Sequence, residues 1–393
     1  MKKKIFLMLT LVFMLSCLFA VSSNAAVAKY DDAPTKTTIQ TLDTDIVVFD
    51  DGYSCLSAYI FKDVSKIENN YGISNALDFS YIKEKTGESY TVNDIVSIDI
   101  PEGITHVGRY AFQRNTTVKK VTIPKTVTSF GAASFENATG LEYCIFEHTE
   151  KSGLTNFQEY MFVGCTNLKA FSMPDCITTI GGAYHFSGCT NLRAVYLSKN
   201  LTTWESGGGG ARGATFDDCH NVYFVNEPFV CVSQSQIPDK PTVYYFPSKL
   251  ESMANQCIFR ECRSLNDVLV FGEKITSAPN QYLFQNGPAN KIVFLGDMTT
   301  VSTEYWGNTT HVFFANENDK DSSCVTFSGE KTAVFCNATN NTTHLTDERG
   351  STLKAPATCV SVAIYDAKCF CGKVLGEING TELDPNNHNF DLE

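Results

Sequence analysis

The chain has 393 residues, 43% hydrophobic and 19% charged, with 43 acidic against 31 basic side chains and a formal net charge of −12. That balance, with no basic cluster to interrupt it, argues against nucleic acid and anionic lipid headgroups as partners.

The first residues read as an export leader. Lys2, Lys3 and Lys4 precede an apolar run from Ile5 to Val21, and small residues follow at Ala25, Ala26 and Ala28. This order fits a Sec signal peptide over residues 1–28, cleaved near Ala26 or Ala28. The run is short for a bilayer span, and Met14 before Leu15-Ser16-Cys17 makes a poor lipobox. Removing three lysines takes the mature chain to about −15. The expected location is therefore secreted or cell-surface, with no transmembrane segment in the mature chain.

Residues 29–94 lack any repeat. Ile46 to Phe49 and Leu56 to Phe61 read as strands around a turn at Asp51-Gly52, and Asn75 to Lys85 as a short helix. A capping region suits this segment, because the first coil of a stacked array exposes apolar surface.

From Ile98 the chain is periodic. Ile98-Asp99-Ile100-Pro101 is followed by Ile104, Val107-Gly108, Ala111-Phe112 and Val118. The frame returns at Val121-Thr122-Ile123-Pro124 with Val127, Phe130-Gly131, Ser134-Phe135 and Leu141, and again from Phe171-Ser172-Met173-Pro174 to Leu192. Phenylalanines 112, 135, 162, 186, 216, 259 and 284 mark successive units, spaced by 23, 27, 24, 30, 43 and 25 residues. The gap of 43 requires an insertion or a degenerate extra coil. Each unit predicts a short strand ended by proline, a bend at Gly108, Gly131 or Gly181, and an inward ring. One unit cannot bury its own ring, whereas stacked units can. A β-sandwich with chance periodicity is the competing fold.

This frame, with Gly-Cys-Thr-Asn-Leu at 164–168 and 188–192, resembles the BspA-like leucine-rich repeats of bacterial surface and secreted proteins. The resemblance covers about Asp94 to Phe314. It implies a mainly β leucine-rich-repeat solenoid, with a parallel sheet and short helical turns, and a role in adhesion to host matrix proteins or other cells. Gly207 to Gly210 and the stretch from Val225 to Pro247 depart from the pattern. The expected organisation is a leader at 1–28, a cap at 29–94, a solenoid at 95–316, an irregular region and linker at 317–356, and a Cys/His tail module at 357–393.

Cysteines 165, 189, 219 and 262 recur at one repeat position and predict a buried ladder of small apolar side chains. Cys324 and Cys336 lie outside it and form a candidate pair. In the tail, Cys359, Cys369, Cys371 and His388 offer a Cys3His donor set for zinc, against a disulfide plus a free thiol as the alternative. No other cofactor is expected.

No catalytic constellation emerges. There is no Gly-x-Ser-x-Gly elbow, and the glycine run at 207–210 lacks a Gly-Lys-Ser/Thr ending. Asp50-Asp51 and Asp217-Asp218 read as solvated turns. Asparagines 115, 137 and 200 sit in sequons and read as ordinary turns in a bacterial chain. The outward row of the sheet is expected to run Asp99, Thr122, Ile145, Ser172, Tyr196, Tyr245, Leu269, Val293, Phe313. Its second half is apolar, so Tyr196, Tyr245, Leu269, Val293 and Phe313 are the expected ligand-binding residues, unless the tail, an insertion or a second copy covers them. The expected function is non-catalytic binding of an extracellular protein or glycan, host matrix included. A structural envelope protein held by its tail is the alternative, followed by a secreted hydrolase.

Overall fold

The computed structural model describes residues 36–40, 45–50, 56–61, 95–99, 106–107, 109–110, 112–204, 215–253, 258–278, 282–288, 290–358 and 361–380. The expected leader, the turn at Asp51-Gly52, the helix at Asn75 to Lys85 and the glycine run at 207–210 lie outside these residues.

Strands Lys36–Gln40, Asp45–Asp50 and Leu56–Phe61 pair antiparallel, and the last runs parallel to Ile95–Asp99. Parallel pairing then takes over. One five-stranded sheet is ordered Tyr223–Phe224, Ala194–Tyr196, Ala170–Ser172, Tyr143–Phe146, Lys120–Ile123. A second is ordered Val243–Tyr245, Val268–Phe271, Lys291–Phe294, His311–Phe314, Thr332–Phe335. Across the core run ladders of two- and three-residue strands, such as Thr179–Ile180 beside Thr203–Trp204. This is a leucine-rich-repeat solenoid. Parallel pairing continues to Phe335, beyond the end at 316 suggested by the repeat motif.

The strands end as the prolines dictate. Val127 donates its N–H to Pro124 O at 3.1 Å and Ile177 to Pro174 O at 3.0 Å. Each turn drives an apolar side chain inward, and Val127 and Ile177 are fully buried. The marker phenylalanines then stack. Ring centroids lie 5.3 Å apart for Phe135–Phe162, 5.4 Å for Phe162–Phe186, 5.1 Å for Phe186–Phe216 and 5.2 Å for Phe259–Phe284. The gap of 43 is crossed too, with Phe216 and Phe259 6.2 Å apart and nearly coplanar. Each such ring contributes roughly 1.5–3 kcal/mol by leaving water. A second column, Phe246, Phe271, Phe294, Phe314 and Phe335, runs behind the later strands.

Short helical turns were expected on the outer side; hydrogen-bonded turns take their place. Among the described residues the helical segment is the 3-10 turn Gln234–Gln236. The reason lies in the backbone bonds. The marker phenylalanines from Phe112 to Phe259 give their N–H to a carbonyl of the following coil, as Phe162 does to His185 O at 2.8 Å and Phe186 to Thr215 O at 2.8 Å. Those amides are unavailable to a helix. Left-handed residues aim them outward on both sides of the ring: Tyr160 at φ 60° and Gly164 at φ 69° flank Phe162. At Gly164 a Cβ would also lie 2.2 Å from Asn137 Oδ1 of the preceding coil. The bend assigned to Gly181 belongs instead to Gly182, at φ 80°.

The cysteine ladder is present, and it is bonded as well as buried. The Sγ atoms of Cys165, Cys189, Cys219 and Cys262 donate to the carbonyls of Phe135, Phe162, Phe186 and Phe216, at 3.0, 3.1, 3.0 and 3.2 Å. Burial pushes these thiols above their ordinary pKa. Cys144 is core, as its strand position implied. Asp217, read as solvated, is buried and held by Arg260, whose Nε donates to Oδ1 at 2.7 Å. Asn115 is buried in a sequon, with Oδ1 accepting from the Val118 N–H at 2.7 Å.

The two large sheets meet at a seam made by side-chain amides. Asn266 accepts from Phe224 N–H at 2.9 Å and donates to Phe224 O and Pro241 O at 2.9 and 2.8 Å. Asn226 accepts from Tyr245 N–H at 3.0 Å and donates to Val243 O at 2.9 Å. These amides replace strand pairing where the chain leaves the solenoid for the insertion at 226–242.

After the last coil, strands Thr346–Ala355, Ile364–Cys369 and Val374–Asn379 form an antiparallel tail sheet. Lys354 and Ala355, expected in a linker, lie within its first strand.

Candidate binding surface and the tail cluster

The structure corrects the expected open apolar row. Leu269 pairs with Tyr244 and Ile292, on the inward row, and is fully buried in the main core. Its outward neighbour Val270 pairs with Tyr245 and Val293, which in turn pairs with Phe313. The slip has a physical origin: Val268–Phe271 is buried on both faces, so it carries no alternation to fix its phase.

Nor is the row open. Val270, Val293 and Phe313 form one cluster with Val334, Cys336 and the tail residue Cys369, with Tyr245, Leu345 and Phe370 packed against it. The tail lies over the second sheet. Tyr245 donates its hydroxyl to Asp347 Oδ1 at 2.5 Å, and the Arg349 guanidinium stands 3.8 Å over its ring. Burial, then Asp347, pushes the Tyr245 phenol upward. Tyr196 is covered by the insertion instead, in a cluster with Tyr143, Tyr223, Val225 and Cys231. Its hydroxyl donates to Asp175 Oδ1 at 2.8 Å.

What stays open is the N-terminal half of the first sheet. Thr122, Ile145 and Ser172 occupy the outward row and are each partly exposed. Between this face and the insertion runs a groove of about 510 Å³. Ile145 and Ser172 line its floor, Asp175 and His148 one side, and Phe229 and Val230 the other. The insertion is tied down there, with Phe229 N–H donating to Ser172 Oγ at 3.2 Å. Val230 is 70% exposed at the lip. Lys199 joins two of the lining carboxylates, with Nζ 3.4 Å from Asp175 Oδ2 and in contact with Glu150. Sequence reasoning passed over this wall because the stretch from Val225 to Pro247 carries no repeat. Its clue was the isolated apolar group Pro228 to Val232 inside a non-repetitive insertion.

The tail chemistry is also rearranged. Cys359 and His388 lie outside the described residues. Beside Cys369 and Cys371 the structure places Cys336 and His344, and the four ligand atoms all lie within 4.8 Å of one another. Cys336, expected to pair with Cys324, is buried against Cys369 at 3.9 Å, while Cys324 is exposed and free. The longer solenoid is the reason: Cys336 directly follows its last strand, under the tail.

The model for the BspA type leucine rich repeat region matches residues 82–222 in six copies. The same stretch holds the rings from Phe112 to Phe216, the thiols of Cys165, Cys189 and Cys219 and the proline-ended strands. The chain carries BspA-type leucine-rich repeats. Comparison with curated proteins returns no match. Among solved structures, a leucine-rich repeat protein from Eubacterium ventriosum is similar at 17% identity and a TM-score of 0.35, covering 71% of this chain and 78% of that one. The pneumococcal vaccine antigen PcpA is similar at 13% identity and a TM-score of 0.28, covering 76% and 98%. A leucine rich cell surface protein from Faecalibacterium prausnitzii is similar at 14% identity and a TM-score of 0.24, covering 76% and 96%. Among the described residues no helix is long and apolar enough to cross a membrane.

Proposed function

We propose that this BspA-type repeat protein is exported and acts at the cell surface or beyond it as an adhesin-like binding module. Its groove between the first sheet and the insertion takes an extended segment of an extracellular protein. The reading rests on one contrast. The second sheet is sealed by the tail, whereas Ile145 and Val230 face each other across a groove left partly in solvent. Exposed apolar surface framed by polar groups marks an interaction site. The rigid coils beneath hold that surface without ordering cost at the moment of binding.

The test is capture of immobilised matrix proteins, mucins and wall fragments by the purified chain. Ile145→Asp with Val230→Asp is expected to lower capture at least tenfold while the circular-dichroism spectrum stays unchanged. Capture equal to wild type, with an unchanged spectrum, removes the groove from consideration. Export is checked separately: deletion of residues 2–28 should retain the chain inside the cell.

A second reading, retention in the envelope through the tail, draws on strand Val374–Asn379. Its residues are exposed along their length, with Val374 and Ile378 beside Leu353 on the same sheet. It requires that deleting the tail from residue 346 onward releases the chain into the medium without loss of capture.

A further inference from the structure

We infer that Cys336, His344, Cys369 and Cys371 form a structural zinc site that clamps the tail sheet to the last coil of the solenoid. The four groups come from three separate segments. Cys336 follows strand Thr332–Phe335, its own N–H bonded to Phe314 O at 2.9 Å. His344 lies on the link that leads into the tail. Cys369 ends strand Ile364–Cys369, and Cys371 sits in the turn after it.

The distances suit a tetrahedron. Zinc–sulfur bonds of about 2.3 Å and zinc–nitrogen bonds of about 2.0 Å place neighbouring ligand atoms roughly 3.5–3.8 Å apart. Cys336 Sγ and Cys369 Sγ are 3.9 Å apart, and Cys371 Sγ and His344 Nδ1 are 3.8 Å apart. These are two opposite edges of such a figure. The remaining edges fall within 4.8 Å, so small side-chain rotations close the site.

The backbone is already shaped for it. The turn Cys369-Phe370-Cys371-Gly372 is pinned by Gly372 N–H to Cys369 O at 2.7 Å and by Cys369 N–H to Lys373 O at 2.8 Å. Gly372, at φ 85°, takes the left-handed conformation that turns the chain back toward strand Val374–Asn379 directly after Cys371. Phe370 N–H reaches Leu345 O at 3.3 Å and fixes the segment that carries His344.

Charge and burial agree with a structural rather than a catalytic role. Cys336 and Cys369 are buried, and Cys371 and His344 only partly exposed. Four protein donors fill a tetrahedral ion and leave no position for substrate. Binding sends the three thiol protons to solvent, and the resulting cluster carries a net charge of −1. Lys373, whose Nζ stands 2.9 Å from His344 Nε2, lies next to that charge. Ligation through Nδ1 leaves the His344 proton on Nε2, and the exposed Lys373 ammonium turns from the ring toward the thiolates.

The rival chemistry is a Cys336–Cys369 disulfide, for which an exported chain offers the oxidising setting. The experiment separates the two. The chain is purified with reductant and without chelator, its zinc is measured by elemental mass spectrometry, and cobalt is titrated into the metal-free chain. The expected result is one zinc per chain and the visible bands of tetrahedral thiolate cobalt. Cys371→Ser and His344→Ala abolish both signals, while Cys324→Ser, Cys359→Ser and His388→Ala retain them. Chelation should also speed amide exchange in strand Thr346–Ala355 without touching the coils around Phe162.

Absence of metal and of thiolate bands in the folded chain overturns the proposal. So does a Cys336–Cys369 disulfide in freshly isolated material, and so does loss of metal in Cys359→Ser or His388→Ala. The cobalt titration uses the unsubstituted chain, so the outcome stands even if Cys371→Ser fails to fold.

Discussion

The two five-stranded sheets belong to one solenoid yet are built by different rules. In the first, Lys120–Ile123 alternates exposed, buried, half-exposed, buried, as a strand with one free face does. In the second, Val268–Phe271 is buried at every position, and Lys291–Phe294 and His311–Phe314 are buried at their last three. The pairing geometry is the same. The difference is what lies on the outer face: open groove over the early strands of the first sheet, packed tail over the second, and where the insertion covers the first sheet Ala194–Tyr196 is buried throughout as well. A strand's apolar count therefore reports the number of layers around it, and a continuous run inside an alternating repeat signals a cover to be found elsewhere in the chain.

Equivalent positions in the two sheets should respond unequally. Val293→Asp places a carboxylate between the second sheet and the tail, in an apolar cluster with Val270, Phe313 and Val334. It should cost about 4 kcal/mol in urea unfolding, whereas Ile145→Asp, at the matching place on the open face, should stay within about 1 kcal/mol. Similar losses for both would mean that the two outer faces are equally covered.

The residue before the marker ring also divides the molecule. It is Ser134, Met161, His185 and Thr215 in the earlier coils but Ile258 and Leu283 later, all buried. His185 donates Nε2–H to Gly181 O at 2.6 Å, and its Nδ1 is buried with no partner. Burial lowers its pKa from 6.5 to about 4, with the Gly181 carbonyl opposing. The unfolded chain binds a proton near pH 6.5 that the folded chain refuses until about pH 4. Stability should then be complete above pH 7 and fall by up to about 3 kcal/mol between those two values. Denaturation series across that range should show the slope in wild type and lose most of it in His185→Leu. An unchanged slope would mean the acid sensitivity lies elsewhere.

At the seam, Asn266→Ala strips partners from Phe224 N–H, Phe224 O and Pro241 O. A loss of about 2 kcal/mol is expected. A broadened unfolding transition should accompany it, because Asn226 then holds the seam alone. Smallest of all, Asn286→Gly relieves a left-handed residue at φ 57°, the position that glycine holds at 164 and 188. It should gain roughly 0.5 kcal/mol, measured as a small rise in the thermal midpoint.

The stacked column was legible because each ring recurs with its proline, its bend and its Gly-Cys-Thr-Asn-Leu, and several positions must agree for the register to hold. The thiol ladder was legible for the same reason, though its hydrogen bonds were not, since a cysteine at a fixed repeat position does not say which carbonyl it meets. Leu269 was misplaced where double-sided burial had removed the alternation. The groove's second wall and the tail cluster depend on contacts between distant segments. Phe229 meets Ser172 and Cys336 meets Cys369 only after folding. The motif fades at 316 while the strand pairing continues to Phe335, which hides the contact of Cys336 with the tail from the sequence.

Each sulfur of the ladder reaches back one coil and no farther, and it finds there an acceptor identical to the one its successor finds. Excising one whole period between Cys165 and Cys189 would present Cys189 with the vacated oxygen of Phe135, leaving the splice chemically indistinguishable from any native joint. Genes encoding such an array can thus lengthen or shorten by complete periods without designing a new junction, whereas a cut of any other size strands a donor opposite the wrong atom.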